Sequence, residues 1–320
     1  MMNKKGIYIF LIILAVIIVA VIAGDFARNR PGKRPSNPFE YNMGDLKKVD
    51  PEQIIYRETR NFKLKMEEPA GMTIFNDQIY VTGDQLLQVI TTEGRLVREI
   101  SLPFKPLTVE VNTSRIFVSA RESIHVYDHD GNPLAEWTGF TGNSYLSGIA
   151  TYEGNVFIAD AARRRVYRFT EDGEKELEFE GKVSDDALHG FIVPSGCFDL
   201  AINEFGDLWV ANPGKHALEN YTFNGILRGY WTSQFSDVKG FTGCCNPAFF
   251  TFLPGGNMIT SEKGILRIKE YKPSGEFVGV VAEPSRFMED GKVSDVASDS
   301  QGRVYAADPD KKSIRVFEKI

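Results

Sequence analysis

The chain has 320 residues, 42% of them hydrophobic and 25% charged, with a net charge of −6 at pH 7. That composition excludes a disordered chain and fits one large domain with an appendage, because closed all-β folds commonly run to about 200–250 residues as a single unit. Residues 1–34 hold six Lys or Arg and one Asp, which leaves 31 basic against 42 acidic residues in the remainder. An acidic domain of this kind disfavours nucleic acid as a partner.

In chain order, a short tail (1–6) precedes IYIFLIILAVIIVAVIA at 7–23, seventeen residues without a charge. Extended by Gly24, this predicts a single transmembrane helix over 7–24, since a helix rising about 1.5 Å per residue just spans a hydrocarbon core of roughly 30 Å. A cleavable signal peptide is the competing reading, with Lys4 and Lys5 as its basic region and Val21-Ile22-Ala23 as a small-residue cleavage site. Its apolar stretch would be only about 7–15 residues. Arg28, Arg30, Lys33 and Arg34 outnumber the basic residues before the helix, which by the positive-inside rule alone keeps the following domain in the cytoplasm. The short tail before an uninterrupted apolar run has instead the form of a signal anchor, and large domains translocate largely regardless of flanking charge. The expected location is therefore a membrane, with the large domain on its extracytoplasmic side.

Residues 25–50, with Pro31, Pro35 and Pro38, read as an extended linker. From 51 to 320 a self-similar unit recurs, each copy carrying a short strand with alternating β-branched and aromatic residues: 79–81 IYV, 116–118 IFV, 156–158 VFI, 208–210 LWV, 257–259 NMI and 304–306 VYA. Glycines at 94, 131, 173, 225 and 275 close polar turns two strands on, where a positive φ is needed. Six copies predict a six-bladed β-propeller. The sixth lacks a fourth strand, and an unassigned strand-like segment, QIIYRETRNFKL, precedes the first copy. Pairing of 53–64 outside 314–317 would complete the last blade and close the ring.

The segment GIATYEGNVFIADAARRRVYRFTEDG (148–173) resembles an NHL repeat, and DVASDSQGRVYAADPDKKSIRVF in the sixth copy is similar to it. The resemblance covers roughly 50–320 and implies an all-β, NHL-like propeller of the TolB-like class. Such propellers host lyases, hydrolases and pure interaction domains, so it implies no single activity. The first, second and fifth copies depart from the pattern, having Gly83, Ser119 and Ser261 near the place of Asp160 and Asp308. Those two aspartates are expected to cap the loop after the second strand and to pair with a basic residue such as Arg165.

Cys197, Cys244 and Cys245 all fall just before an innermost strand of blades four and five, which brings them to one mouth of the channel. A disulfide from Cys197 to Cys244 or Cys245, thiolates holding a soft metal such as Cu(I) or Zn(II), and buried free thiols are all consistent with that placement. Asp199 and Asp295 stand where other copies have Gly71 and Gly148, and are expected to face the channel. There they would hydrogen-bond backbone or water, or hold Ca²⁺.

The amidating lyases that share the repeat type hold Zn with several histidines, and no such constellation is apparent. His125 and His129 read as packing and turn residues, which leaves His189 and His216 as weak site candidates. The two longest insertions, 181–195 and 233–243, carry Phe191, Trp231, Phe235 and Phe241, either as ligand contacts or as packing. No phosphate loop or nucleophile elbow is present. The sequence thus points to a non-catalytic binding or assembly module for a protein, peptide or small ligand. The alternative is a metal-dependent or redox enzyme using the three cysteines.

Overall fold

A computed structural model describes residues 4–28, 43–140, 142–184, 189–233, 237–243 and 245–320. The chain divides into two units, Met1–Met43 and Gly44–Ile320. In the first, a 25-residue helix spans Lys4–Arg28 and is long and apolar enough to cross a membrane, a test that a signal sequence also passes.

The second unit is a six-bladed β-propeller of six four-stranded antiparallel sheets. Blade one spans 69–101, two 108–137, three 146–179, four 200–232 and five 249–282. Blade six takes its three inner strands from 295–319 and its outermost strand, Tyr56–Lys63, from the other end of the unit. That strand pairs antiparallel with Ser313–Lys319, from Tyr56 opposite Lys319 to Lys63 opposite Ser313, with a bulge between Glu58 and Arg60. The expected ring closure is therefore present.

Six buried apolar clusters lie at the six seams between neighbouring blades. At the three-to-four seam, for example, Phe157 and Val166 pack with Leu200 and Tyr221. Alternation along each strand sends one set of side chains to each neighbour, so both faces of every blade are buried and only the ends and the outer strands meet water. The turn glycines serve the same seams. A Cβ at Gly131, Gly173, Gly225 or Gly275 would lie within 3 Å of Ile100, Trp137, Phe179 or Trp231, each on the outermost strand of the preceding blade. Gly94 of blade one makes this contact with Phe62, so the N-terminal strand takes the packing place of a fourth strand as well as its hydrogen bonds.

Charge fastens the closure. Arg315, fully buried, receives Glu58 of the closing strand in two hydrogen bonds, Nε to Oε1 at 3.1 Å and Nη2 to Oε2 at 2.6 Å, and reaches Asp308 at 3.2 Å. Its guanidinium lies 4.9 Å from the Phe287 ring and 5.3 Å from that of Phe317. Burial raises the Glu58 pKa, but the hydrogen bonds and charge of Arg315 outweigh it and hold the carboxyl below its ordinary value. Farther along the strand, buried Glu270 of blade five accepts from Tyr56 Oη at 2.9 Å and from Lys319 Nζ at 3.0 Å. Asp308 thus has a basic partner as expected. Asp160 caps its loop by accepting from the Ala162 and Arg163 amides, but Arg165 pairs with Glu178 and Glu180 on the fourth strand instead.

Substituting Glu58→Ala leaves Arg315 short of a partner, and breaking a buried pair from one side costs about 3 kcal/mol. The whole domain should then unfold at lower denaturant in one transition, followed by tryptophan fluorescence and circular dichroism. Two separate transitions would contradict closure by this strand.

Candidate functional site

The innermost strands surround an open cavity of about 500 Å³. Its lining runs from Asp199 and Asp295, at the start of their strands, to Asn203, Glu204, Pro254 and Ser300 in the turns that follow. It therefore opens on the face where first strands turn into second strands, opposite the loops that carry the cysteines. Among the described residues five carboxylates line it, Glu110, Asp199, Glu204, Asp295 and Asp299, with no Lys, Arg or His in the lining; Asp299 is paired with Arg303 behind it.

Asp199 and Asp295 face this channel as expected and also tie neighbouring blades together. Asp199 accepts from the Leu200 amide on its own strand and from the Phe250 amide of blade five, both at 2.9 Å. Asp295 accepts from Val296 at 2.8 Å and from Met72 of blade one at 2.7 Å. No backbone ladder joins the innermost strands of neighbouring blades, and side chains bridge them instead. Where the copies have glycine the reason is steric: a Cβ at Gly71 would lie 2.5 Å from Thr108 Cα, and one at Gly148 3.2 Å from Asp199 Oδ1.

Glu110, which the sequence does not single out, completes the set. It accepts from Thr73 Oγ1 of blade one at 3.0 Å and also hydrogen-bonds Thr151 of blade three. Glu110, Asp199 and Asp295 thus sit on blades two, four and six. Burial pushes the Glu110 pKa up to about 8 against the pull of its threonine partners, and the charge of Asp295 adds to the rise. Burial raises Asp295 to about 7 in spite of its two amide donors. Asp199 is raised by burial and then by Asp295. No cation stands in the lining to offset these costs.

The other candidates lie elsewhere. Phe191, Trp231 and Phe241 are buried: Phe191 packs on Phe179, Phe198 and Tyr221, while Phe241 stacks on Trp231 with ring centroids 5.7 Å apart. These three take the packing reading. Phe235 and Cys244 lie outside the described residues. His189 is exposed, and His216, held in the left-handed region by its turn, contacts the Gly243 carbonyl at 2.6 Å through Nε2. Neither lines the channel. His125 stacks on Phe104 at 3.8 Å, consistent with packing.

Cys197 and buried Cys245 come together near the mouth opposite the open one, close enough for Cys245 to add to the rise in the Cys197 pKa. Burial raises the Cys197 pKa against the opposing charge of Lys263, which suppresses the thiolate that reactivity requires. Among the described residues no three His, Cys, Asp or Glu side chains converge as a metal site would need. The sequence reading also passed over the third strand of blade five, Arg267–Tyr271, where every residue is buried.

The channel carboxylates fix the sign of the pH dependence. Their folded pKa values lie above the unfolded ones, so the stability they contribute is complete below about pH 4 and is lost as pH rises through 7 and 8. Denaturation midpoints at constant ionic strength should fall from pH 5 to 8.5. Glu110→Gln, which keeps the shape and removes the proton, should flatten that slope; an unchanged slope would remove Glu110 from the account.

No protein-family model matches the chain, and no curated protein matches it. Among solved structures it is similar to a streptogramin B lyase, with 15% identity, a TM-score of 0.58, and coverage of 83% of this chain and 98% of the lyase. A structural genomics protein of unknown function from Bacteroides thetaiotaomicron has 15% identity and a TM-score of 0.59 over 79% of this chain and 70% of its own. The WD40 propeller domain of Doa1 has 10% identity and a TM-score of 0.53 over 79% of each chain. At these identities the likeness is one of fold, and kinship to NHL repeats remains a resemblance of particular residues.

Proposed function

We propose that the chain is a non-catalytic binding module held at a membrane by its N-terminal helix, with the propeller on the extracytoplasmic side. Its channel mouth would receive a cationic group, either the amine of a small ligand or a Lys or Arg side chain of a protein or peptide partner. The observation that carries this reading is the open cavity of about 500 Å³, whose described lining has five carboxylates and no basic residue; Asp299 is paired with Arg303 behind it, and the buried Glu110, Asp199 and Asp295, held protonated by burial, would give up their protons as the cation enters. In the surrounding turns Asp77, Glu153 and Glu174 are exposed on the same face and extend the field, while Glu93, Asp130 and Asp172 are paired with Arg95, Arg98 and Arg115. Fields of one sign in a concave site concentrate ligands of the other.

The solved structures allow either a catalytic or a binding role, since a lyase and a WD40 domain share the fold. Binding is favoured by the composition of the channel. The cysteines support a structural bridge on the exported side. Cys197 lies near Cys245, and an oxidising compartment would favour a disulfide from it to Cys244 or Cys245.

Spermidine and a lysine-rich peptide are suitable probes in calorimetric titration. Binding should weaken steeply between 50 and 500 mM salt, values spanning roughly a halving of the Debye length or more. Glu204→Gln combined with Glu110→Gln should reduce affinity about tenfold, equivalent to roughly 1.4 kcal/mol. Equal binding of a glutamate-rich peptide would refute the cationic preference. Protease added to intact cells should digest the propeller, and non-reducing peptide mapping should show a bridge to Cys197. A shielded domain with free thiols would reverse the topology.

A further inference from the structure

The buried cations of blade five play no part in the channel. In four blades the residue ending the second strand meets the side chain two positions into the third: Asp160 with Tyr167, Asn212 with Glu219, Glu262 with Lys269 and Asp308 with Arg315. Blade six balances this pair with surplus negative charge, because Arg315 faces both Asp308 and Glu58. Blade five inverts the balance. Among the described residues Arg267 and Lys269 have one carboxylate in contact, that of Glu262, with Asp237 acting on Lys269 by its charge alone; the Arg267, Lys269 and Glu262 side chains are 0% exposed.

Neutral carbonyls stand where a second anion would be expected. Lys269 Nζ donates to Val238 O at 3.1 Å and Gly240 O at 2.8 Å, while Arg267 Nη2 donates to Gly240 O at 3.0 Å and Thr242 Oγ1 at 3.2 Å. Tyr271 Oη donates to Lys239 O at 3.0 Å. With Glu262 at 2.5 Å, all three donors of Lys269 are used. Among the described residues Arg267 Nη1 has no partner, although it is buried. Burial, with the like charge of Arg267, outweighs the attraction of Glu262 and Asp237 and brings the Lys269 pKa down to about 8. A carbonyl is a weak replacement, since hydrogen bonds to an ionised acceptor are about twice as strong.

We propose that Arg267 and Lys269 form a binding site for a small oxyanion, a carboxylate or phosphate group, which the carbonyls of residues 238–242 occupy in its absence. This strap is fastened by Phe241, whose ring lies 5.7 Å from Trp231 and 5.4 Å from Tyr271 and whose amide donates to Ser233 O at 2.8 Å. An oxyanion displaces the Val238 and Gly240 carbonyls and supplies an acceptor to Arg267 Nη1. Anion binding and strap release are therefore one equilibrium, and whatever weakens the strap strengthens binding. The site differs from the channel in sign and position, at the seam of blades four and five.

The test uses the full chain in detergent, with inorganic phosphate and acetate as probes and chloride at matched ionic strength as control. Hydrogen exchange at the Phe241 and Thr242 amides, and tryptic cleavage after Lys239, should accelerate with phosphate or acetate and not with chloride. Which of the two acts at lower concentration distinguishes a phosphate from a carboxylate source. Phe241→Ala should lower the half-saturating concentration about tenfold, for roughly 1.4 kcal/mol of strap anchoring. Lys269→Met should abolish the response. If that variant does not fold, Arg267→Lys, which keeps the charge and loses the planar fork, should weaken it. Exchange indifferent to both oxyanions, an equal response to chloride, a response that survives in the folded Lys269 variant, or one undiminished in the Arg267 variant would overturn the proposal.

Discussion

Closure of the ring by Tyr56–Lys63 is the constraint on which the rest of the domain depends. A propeller blade cannot bury both faces alone, and each seam is completed only when the circle is complete. Here the completing strand lies 250 residues from its partner along the chain, so closure must be fastened by more than a ladder of hydrogen bonds. Arg315 supplies that fastening, buried between two aromatic rings and shared by two carboxylates. Phe62 adds an apolar contact to blade one, and Tyr56 a polar one to blade five. A single strand thereby touches three blades.

The same economy of position recurs around the ring with different chemistry. Aspartate, asparagine or glutamate ends the second strand in four blades, and its partner two positions into the third is in turn Tyr167, Glu219, Lys269 or Arg315. Buried ionic groups are seldom a source of net stability, because desolvation offsets their attraction. They do impose geometry, and their imbalance in blade five marks the seam where the inserted segment lies. The channel has the opposite imbalance: among its described lining residues Asp299 alone has a cation, Arg303, beside it, and Glu110, Asp199 and Asp295 are met by amides and hydroxyls.

These two imbalances lie in separate parts of one rigid scaffold. The channel carboxylates bridge innermost strands, so their protonation is coupled to how tightly neighbouring blades are held. The blade-five cations hold a segment outside the regular repeat. A repeat architecture permits this division, since each blade can vary at equivalent positions while the seams keep their apolar core.

Much of the architecture was legible in the amino-acid order. β-branched and aromatic strands, turn glycines at fixed offsets and a missing last strand determine six blades and a closure across the termini, because those signals are local and periodic. The channel position of Asp199 and Asp295 followed from the same register. Partnerships across seams were not legible. Arg165 was expected beside Asp160 yet pairs with its own fourth strand, where Glu178 and Glu180 are nearer. Phe191, Trp231 and Phe241 look like contacts on long loops, but Phe191 and Phe241 are buried as the loops fold back, and Trp231 lies on the fourth strand of blade four. RIKEY, with Arg267 and Lys269 alternating with apolar or paired residues, has the pattern of a half-exposed strand, and only the segment laid across it removes those cations from water. Periodicity along a chain fixes which side of a strand a residue takes; what covers that side is decided by segments distant in sequence, and so by tertiary structure alone.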